Sequence, residues 1–177
     1  TPAMFAGVTL SDVSVDSIFN DTLTLDFGDN KNGTADITVT ATDGGSLTIT
    51  DTFTVTVAGV NDAPTKIGAD YSITQNEDTG SILLDFSFGT YFDDVDVANE
   101  GDVISYTIDV NDQPDTWVDT TVLDVPVAMY TTTSDTQTIT INPDASGTID
   151  IIVTATDAGG LAATPLNVTV TINALFD

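Results

Sequence analysis

Ser146 to Leu161 reads S-G-T-I-D-I-I-V-T-A-T-D-A-G-G-L, and Asn32 to Leu47 reads N-G-T-A-D-I-T-V-T-A-T-D-G-G-S-L. Eleven of the sixteen positions are identical at an offset of 114 residues. Within each copy apolar and polar residues alternate, so that Ile37, Val39 and Ala41 share one face and threonines the other. Period-two alternation is the signature of a half-buried antiparallel strand. The pattern recurs in Thr52–Val57, Ile139–Ile141 and Val168–Ile172. Both copies are followed by a second alternating strand, Phe53–Val57 in one and Leu166–Val170 in the other.

Between the runs lie turn clusters: Asp29–Gly33, Asp43–Gly45, Asn76–Gly80, Asn142–Asp144 and Asp157–Gly160. Short strands so punctuated indicate a β-sandwich, and no helix longer than a turn or two is expected. A spacing of 114 is that of one sandwich domain. The second copy closes a stretch of ample length; the first has only about 60 residues before it ends. The expected organisation is therefore a partial sandwich, split or truncated, over 1–60, a linker over 61–64 stiffened by Pro64, and a complete sandwich over 65–177. Asp29–Gly33 is expected to be a hairpin turn, since Lys31 occupies what would be a ligand position in an EF-hand loop.

Charge narrows the functional classes. The 177 residues hold 28 Asp+Glu against 2 Lys+Arg, a formal charge of −26, with no His and no Cys. Nucleic-acid binding requires Lys or Arg against phosphate, which two lysines cannot supply. Attraction to an anionic membrane fails likewise. Imidazole and thiolate metal sites, nucleophile triads built on His, and disulfides are excluded outright. Disordered acidic tails are poor in β-branched residues, yet here Thr alone fills 33 positions and 41% of residues are hydrophobic. No apolar run is long enough to span a bilayer, and no basic-then-apolar segment opens the chain, whose first residues look like an interior cut. With so many acids, two carboxylates fall close together by chance, so glycosidase-type pairing carries no weight and no enzyme is expected.

The residues resemble a family. V-T-A-T-D-G-G-S-L-T-I-T-D-T-F-T-V-T-V followed by V-N-D-A-P is similar to the ending of a bacterial cadherin-like repeat, of the dystroglycan type. Ile73–Asp78 resembles the family's first strand with its acid, Phe92–Asp96 its F-x-D-x-D signature, and Ala155–Asp157 its late x-D-x. Such repeats stand in tandem in large secreted adhesins, including the RTX type. The resemblance implies an all-β, antiparallel Greek-key β-sandwich and calcium as the cofactor. It also implies a secreted, cell-surface location held through the rest of the polypeptide, with neighbouring repeats as partners.

It further implies a metal site of Asn61, Asp62, Asp94, Asp96 and Asp157, with a carbonyl from Gly101. On an extended strand Asp94 and Asp96 would point the same way and face one ion. Glu77 matches the early-strand acid and would serve the opposite pole. The family's fullest pattern has an acid where this chain has Gly59, so one or two ions are expected. The implied role is a calcium-stabilised spacer. The alternative is calcium-dependent capture of a host peptide or glycan by the irregular stretch 109–135, with Trp117 and Tyr130. Scattered acids such as Asp12, Asp16, Asp109 and Asp135 read as turn chemistry or solvated surface.

Overall fold

The computed structural model describes residues 5–11, 22–111, 130–140 and 146–176. It is nearly all β, and the chain divides into two compact units, Thr1–Val60 and Asn61–Asp177. Asn61–Pro64, expected as a linker, belongs with the second unit, where Pro64 is buried.

The first unit holds two antiparallel hairpins: β1 (Phe5–Ser11) with β2 (Thr22–Phe27), and β3 (Gly33–Thr42) with β4 (Thr48–Val57). Asp29–Gly33 is a turn, with Asn30 at φ 52, but it joins β2 to β3 rather than closing a hairpin. Asn tolerates this left-handed region better than most residues, which is why the sequence reads as a turn whatever strands it connects.

The second unit is a sandwich. One sheet runs β10-β9-β12-β13-β6 and the other pairs β11 with β7. These are β6 (Tyr71–Asn76), β7 (Ser81–Asp85), β9 (Ser105–Asn111), β10 (Tyr130–Thr132), β11 (Thr136–Thr140), β12 (Gly147–Thr156) and β13 (Leu166–Asn173). The chain changes sheet between β6 and β7, returns before β9, and crosses again around β11. β6 pairs parallel to β13, and the other strand pairs in both sheets are antiparallel. A short pair, β5 (Thr65–Lys66) with β8 (Phe92–Asp93), closes the entry side. Ile82, Leu84 and Ile139 from the small sheet meet Ile108, Ile151, Val153, Leu166 and Val168 from the large one in a single core. Phe86 and Phe92 pack against Tyr106, with ring centroids 4.9 and 5.8 Å away. The Tyr71 hydroxyl donates to the Asp85 carbonyl at 2.7 Å and accepts from the Asp85 N–H at 3.1 Å, tying one sheet to the other.

The internal repeat is structural down to single bonds. In β3–β4 the Thr54 hydroxyl donates to Asp36 at 2.7 Å; in β12–β13 Thr169 donates to Asp150 at 2.8 Å. Thr34 and Thr56 stand 3.3 Å apart, Thr148 and Thr171 3.2 Å. Such cross-strand pairs fix register on the polar face. The apolar faces differ. Ile151, Val153 and Ala155 are fully buried, whereas no residue of β3 or β4 is buried, and Ile49 is 74% exposed.

Two expectations follow. Ile151→Ala should cost about 2–5 kcal/mol in denaturant melts, the usual range for a buried large-to-small change. Ile37→Ala, at the equivalent position, should cost under about 1 kcal/mol, because little covered surface is lost. The second concerns Asp70, bonded by the Lys66 ammonium and by the Asn167 N–H at 2.8 Å. These partners hold its carboxyl at about 2, against an ordinary 3.8. A depressed carboxylate stabilises the fold above the unfolded value and loses that contribution as pH falls through the folded one. The melting difference between the native chain and Asp70→Asn should therefore be full above pH 5 and shrink between pH 4 and 2. A difference that stays constant over that range would contradict it.

Candidate metal centre

Two turns build the site. The first is set by β12, which ends in the sequence T-D-A-G-G. Asp157 folds back on its own backbone: its Oδ1 accepts from the Leu161 N–H at 2.7 Å, and its N–H donates to the Leu161 carbonyl at 3.0 Å. This is ordinary Asx-turn chemistry. Asp43 makes the same turn in the first unit, where its Oδ1 accepts from Leu47 N–H at 2.8 Å, but Asp43 is exposed. What distinguishes Asp157 is its surroundings. It is buried, and its other oxygen accepts from the Asn61 side-chain amide at 2.8 Å. Gly159 makes room for that amide: a Cβ there would lie 2.7 Å from Asn61 Nδ2.

The second turn is α1 (Val95–Glu100). Asp94 and Asp96 do not lie on an extended strand as the sequence suggests. Asp94 is the helix N-cap, its Oδ1 accepting from the Asp96 N–H at 2.8 Å, and Asp96 sits in the first turn. Asp is among the preferred residues at that position, so the capping preference overrides the extension begun at Phe92–Asp93. Gly101 ends the helix in the left-handed conformation, φ 74 and ψ 30, which glycine adopts without penalty. Its N–H and that of Asp102 both point to the Asp96 carbonyl. The chain thereby reverses and brings Asp102 back beside Asp94.

Asp94, Asp102 and Asp157 each place a carboxylate oxygen within 4.8 Å of the others. Asp94 is 5% exposed, and its Oδ2 is buried without a hydrogen-bond partner; Asp102 Oδ2 is likewise buried and unpartnered. Buried carboxylate oxygens are costly to leave unsatisfied. Burial pushes the Asp94 carboxyl up, and the charges of Asp96, Asp102 and Asp157 add to this against the Asp96 N–H bond. Burial would also raise Asp157, but the Asn61 amide and the N–H groups of Leu161, Gly160 and Gly159 prevail and hold it low. The donor set is hard oxygen throughout, which suits calcium or magnesium and not a soft metal.

The remaining expected residues are placed as follows. Asp96 uses Oδ2 to accept from the Asp62 N–H at 2.7 Å, so Asp96 and Asp62 fix the entering backbone rather than join the three-carboxylate group. Gly101 is exposed and serves as the helix cap. Glu77 is buried, and its Oε1 accepts from the Leu175 N–H. Since Asn76 is paired with Asn173 at one end of the sheet, and Val153 with Leu166 towards the other, Glu77 lies at the pole remote from Asp157. Asp102 was not anticipated. Its only sequence signal is an acid directly after a helix-ending glycine, which is common enough to pass unnoticed. Trp117, Asp12, Asp16 and most of 109–135 lie outside the described residues; Tyr130 enters only as the first residue of β10.

No family model matches the chain, and no curated protein matches it. Among solved structures, it is similar to a variant of the endo-fucoidan hydrolase MfFcnA4 from glycoside hydrolase family 107, with 16% identity over 98% of this chain and a TM-score of 0.40. The endo-fucoidan hydrolase MfFcnA9 of the same family shows 18% identity, 97% coverage and a TM-score of 0.37. The chain spans only 23% and 27% of those two enzymes. The D00-D0 domain of intimin shows 14% identity, with 92% of this chain and 78% of that one covered, at a TM-score of 0.25. All three scores are too low for the likeness to carry fold or function over to this chain.

The cluster makes a prediction about its own charges. In metal-free protein, Asp102→Asn removes a like charge beside Asp94, so the Asp94 carboxyl should titrate lower than in the native chain. Carboxyl-carbon NMR titration reads this directly. An unchanged Asp94 would mean that the two groups do not share a site.

Proposed function

We propose that the chain is a calcium-stabilised, non-enzymatic section of an extracellular adhesin, whose work is to act as a stiff spacer. The observation that carries the reading is the Asp94–Asp102–Asp157 group with its two buried, unpartnered oxygens. Asp94, Asp102 and Asp157 would hold the ion, with the Asn61 amide beside them donating to Asp157 Oδ2. Calcium there supplies positive charge and takes up oxygens that have no donor, relieving part of the repulsion within a chain of −26.

The position of the group supports the stiffening role. Asn61 and Asp62 begin the second unit, and both are tied to acids of the cluster's two turns, Asn61 to Asp157 and Asp62 to Asp96. An ion bound between the turns fixes the direction in which the polypeptide enters the sandwich. A repeat so held transmits length and force with little bending, which is what a spacer requires. The resemblance to adhesin repeats noted in the sequence supplies the biological setting.

Melting in EDTA and in millimolar calcium tests the proposal. Free calcium at a hundred times its Kd should add about 2.7 kcal/mol to the second unit. That raises its midpoint on the order of 10 °C. Asp102→Asn should melt at or above the native chain in EDTA, since a repulsion is gone, yet gain little from calcium. Identical native curves with and without calcium would overturn the metal site.

A further inference from the structure

Each carboxylate of the Asp94–Asp102–Asp157 group has one oxygen already held by backbone. Asp94 Oδ1 accepts from the Asp96 N–H at 2.8 Å. Asp102 Oδ1 accepts from the Val103 N–H at 2.7 Å and from the Ala158 N–H at 3.2 Å, so it also joins the helix reversal to the turn that Asp157 closes. Asp157 Oδ1 accepts from the Leu161 N–H at 2.7 Å. The second oxygens differ. Oδ2 of Asp94 and of Asp102 are buried without a donor, whereas Oδ2 of Asp157 takes the Asn61 amide at 2.8 Å.

A carboxylate grips a calcium ion with two oxygens or with one. An oxygen that holds the N–H groups of its own turn is fixed towards them, and swinging it onto an ion would break charge-assisted bonds that shape the turn. The three side chains therefore offer one oxygen each. Calcium takes about six to eight oxygens, so roughly three to five positions are left for water, a carbonyl or an amide oxygen. The Asp157 oxygen is also contested, because the Asn61 amide already donates to it. Affinity for calcium follows the charge count and rigidity of the ligands, and both the one-oxygen grip and the neutral Asn61 lower it here.

We infer, resting on the calcium reading above, that these hydrogen bonds make the centre a low-affinity site, which fills and empties over about 10⁻⁴–10⁻³ M calcium. Stiffness then follows the surrounding calcium and is not permanent. Below that range the bonds from Asn61 to Asp157 and from Asp62 to Asp96 hold the entering backbone, since neither needs an ion. Within it the ion adds a link between the α1 turn and the Asp157 turn. Asn61 sets the limit: it brings no negative charge and occupies Asp157 Oδ2. Gly159 leaves room for the side chain, and a carboxylate of the same shape at position 61 fits that room.

The test is calorimetric titration of calcium into the full chain after EDTA treatment and dialysis, native and Asn61→Asp. The native chain should bind within the range above. Asn61→Asp exchanges a competing donor for an anionic oxygen at unchanged shape, and should bind at least about tenfold tighter. Its melting transition in EDTA reports that the variant folds. Europium in place of calcium gives a second reading on the native chain alone. Its luminescence lifetime in H2O against D2O counts bound waters, and about two or more are expected. A native Kd below about 10⁻⁴ M, the domain of sensor and buffer sites, would overturn the inference and leave the calcium reading standing. So would a europium ion without bound water, or an Asn61→Asp chain that folds and binds no tighter. Absence of both binding heat and a calcium-dependent melting shift in the native chain would remove the calcium reading itself, and this inference with it.

Discussion

A strand that alternates apolar and polar residues creates an obligation: its apolar face gains from burial only if another layer lies over it, and its edges must be paired or blunted. The two copies of the V-T-A-T-D hairpin meet that obligation differently. In the second unit β9 and β6 flank the hairpin and the β7–β11 sheet covers it, so Ile151, Val153, Leu166 and Val168 lose their exposure entirely. In the first unit the same backbone ladder and the same threonine–aspartate bonds form, but no side chain of the hairpin is buried. Local pattern thus suffices for the ribbon, and coverage decides whether it becomes a core.

The acids show the same division between local and tertiary causes. Asp43 and Asp157 perform one local task, closing the turn after a strand, with near-identical bonds. Only Asp157 acquires a second task, because Asn61 approaches over Gly159 and the α1 turn brings Asp94 and Asp102 to its side. Local turn chemistry therefore positions a carboxylate cheaply, and packing converts it into part of a cluster. Exposed Asp36 and Asp150 illustrate the opposite case, spending their charge on a threonine hydroxyl across the ribbon.

The fold was largely legible because its signals are short-range. Period two and Asp-Gly turns fix structure within a few residues of where they are read, and the repeat shows the same local pattern twice. The candidate site was half legible. Asp94 and Asp157, expected by resemblance, lie in the three-carboxylate group and Asn61 is bonded to Asp157, but Asp94 and Asp96 do not share an extended strand: a helix begins at Asp94, so the two side chains take separate duties. Asp102 was illegible because its place depends on a reversal at Gly101, and six helical residues bounded by Asp and Gly give too weak a periodic signal to announce one. The turn at Asp29–Gly33 was legible as a turn but not as a connection between sheets, since turn residues specify backbone angles and not partners.

Placement of the carboxylates also bears on why a sandwich can carry so much negative charge. Among the described residues most acids occupy exposed strand and turn positions, where water screens them and their mutual repulsion is small. Repulsion concentrates where Asp94, Asp102 and Asp157 converge, and there burial removes the screening as well. Asn61 and the backbone N–H groups can satisfy Asp157, but they do not reach Asp94 Oδ2 or Asp102 Oδ2. Added neutral donors would fill the hydrogen-bond deficit and leave the charge in place. A divalent cation answers both demands at once, because it brings the coordination that the orphan oxygens lack and the charge that the cluster lacks. The local arrangement is thus better matched to an ion than to further packing, even though each turn within it is built from bonds that need no metal.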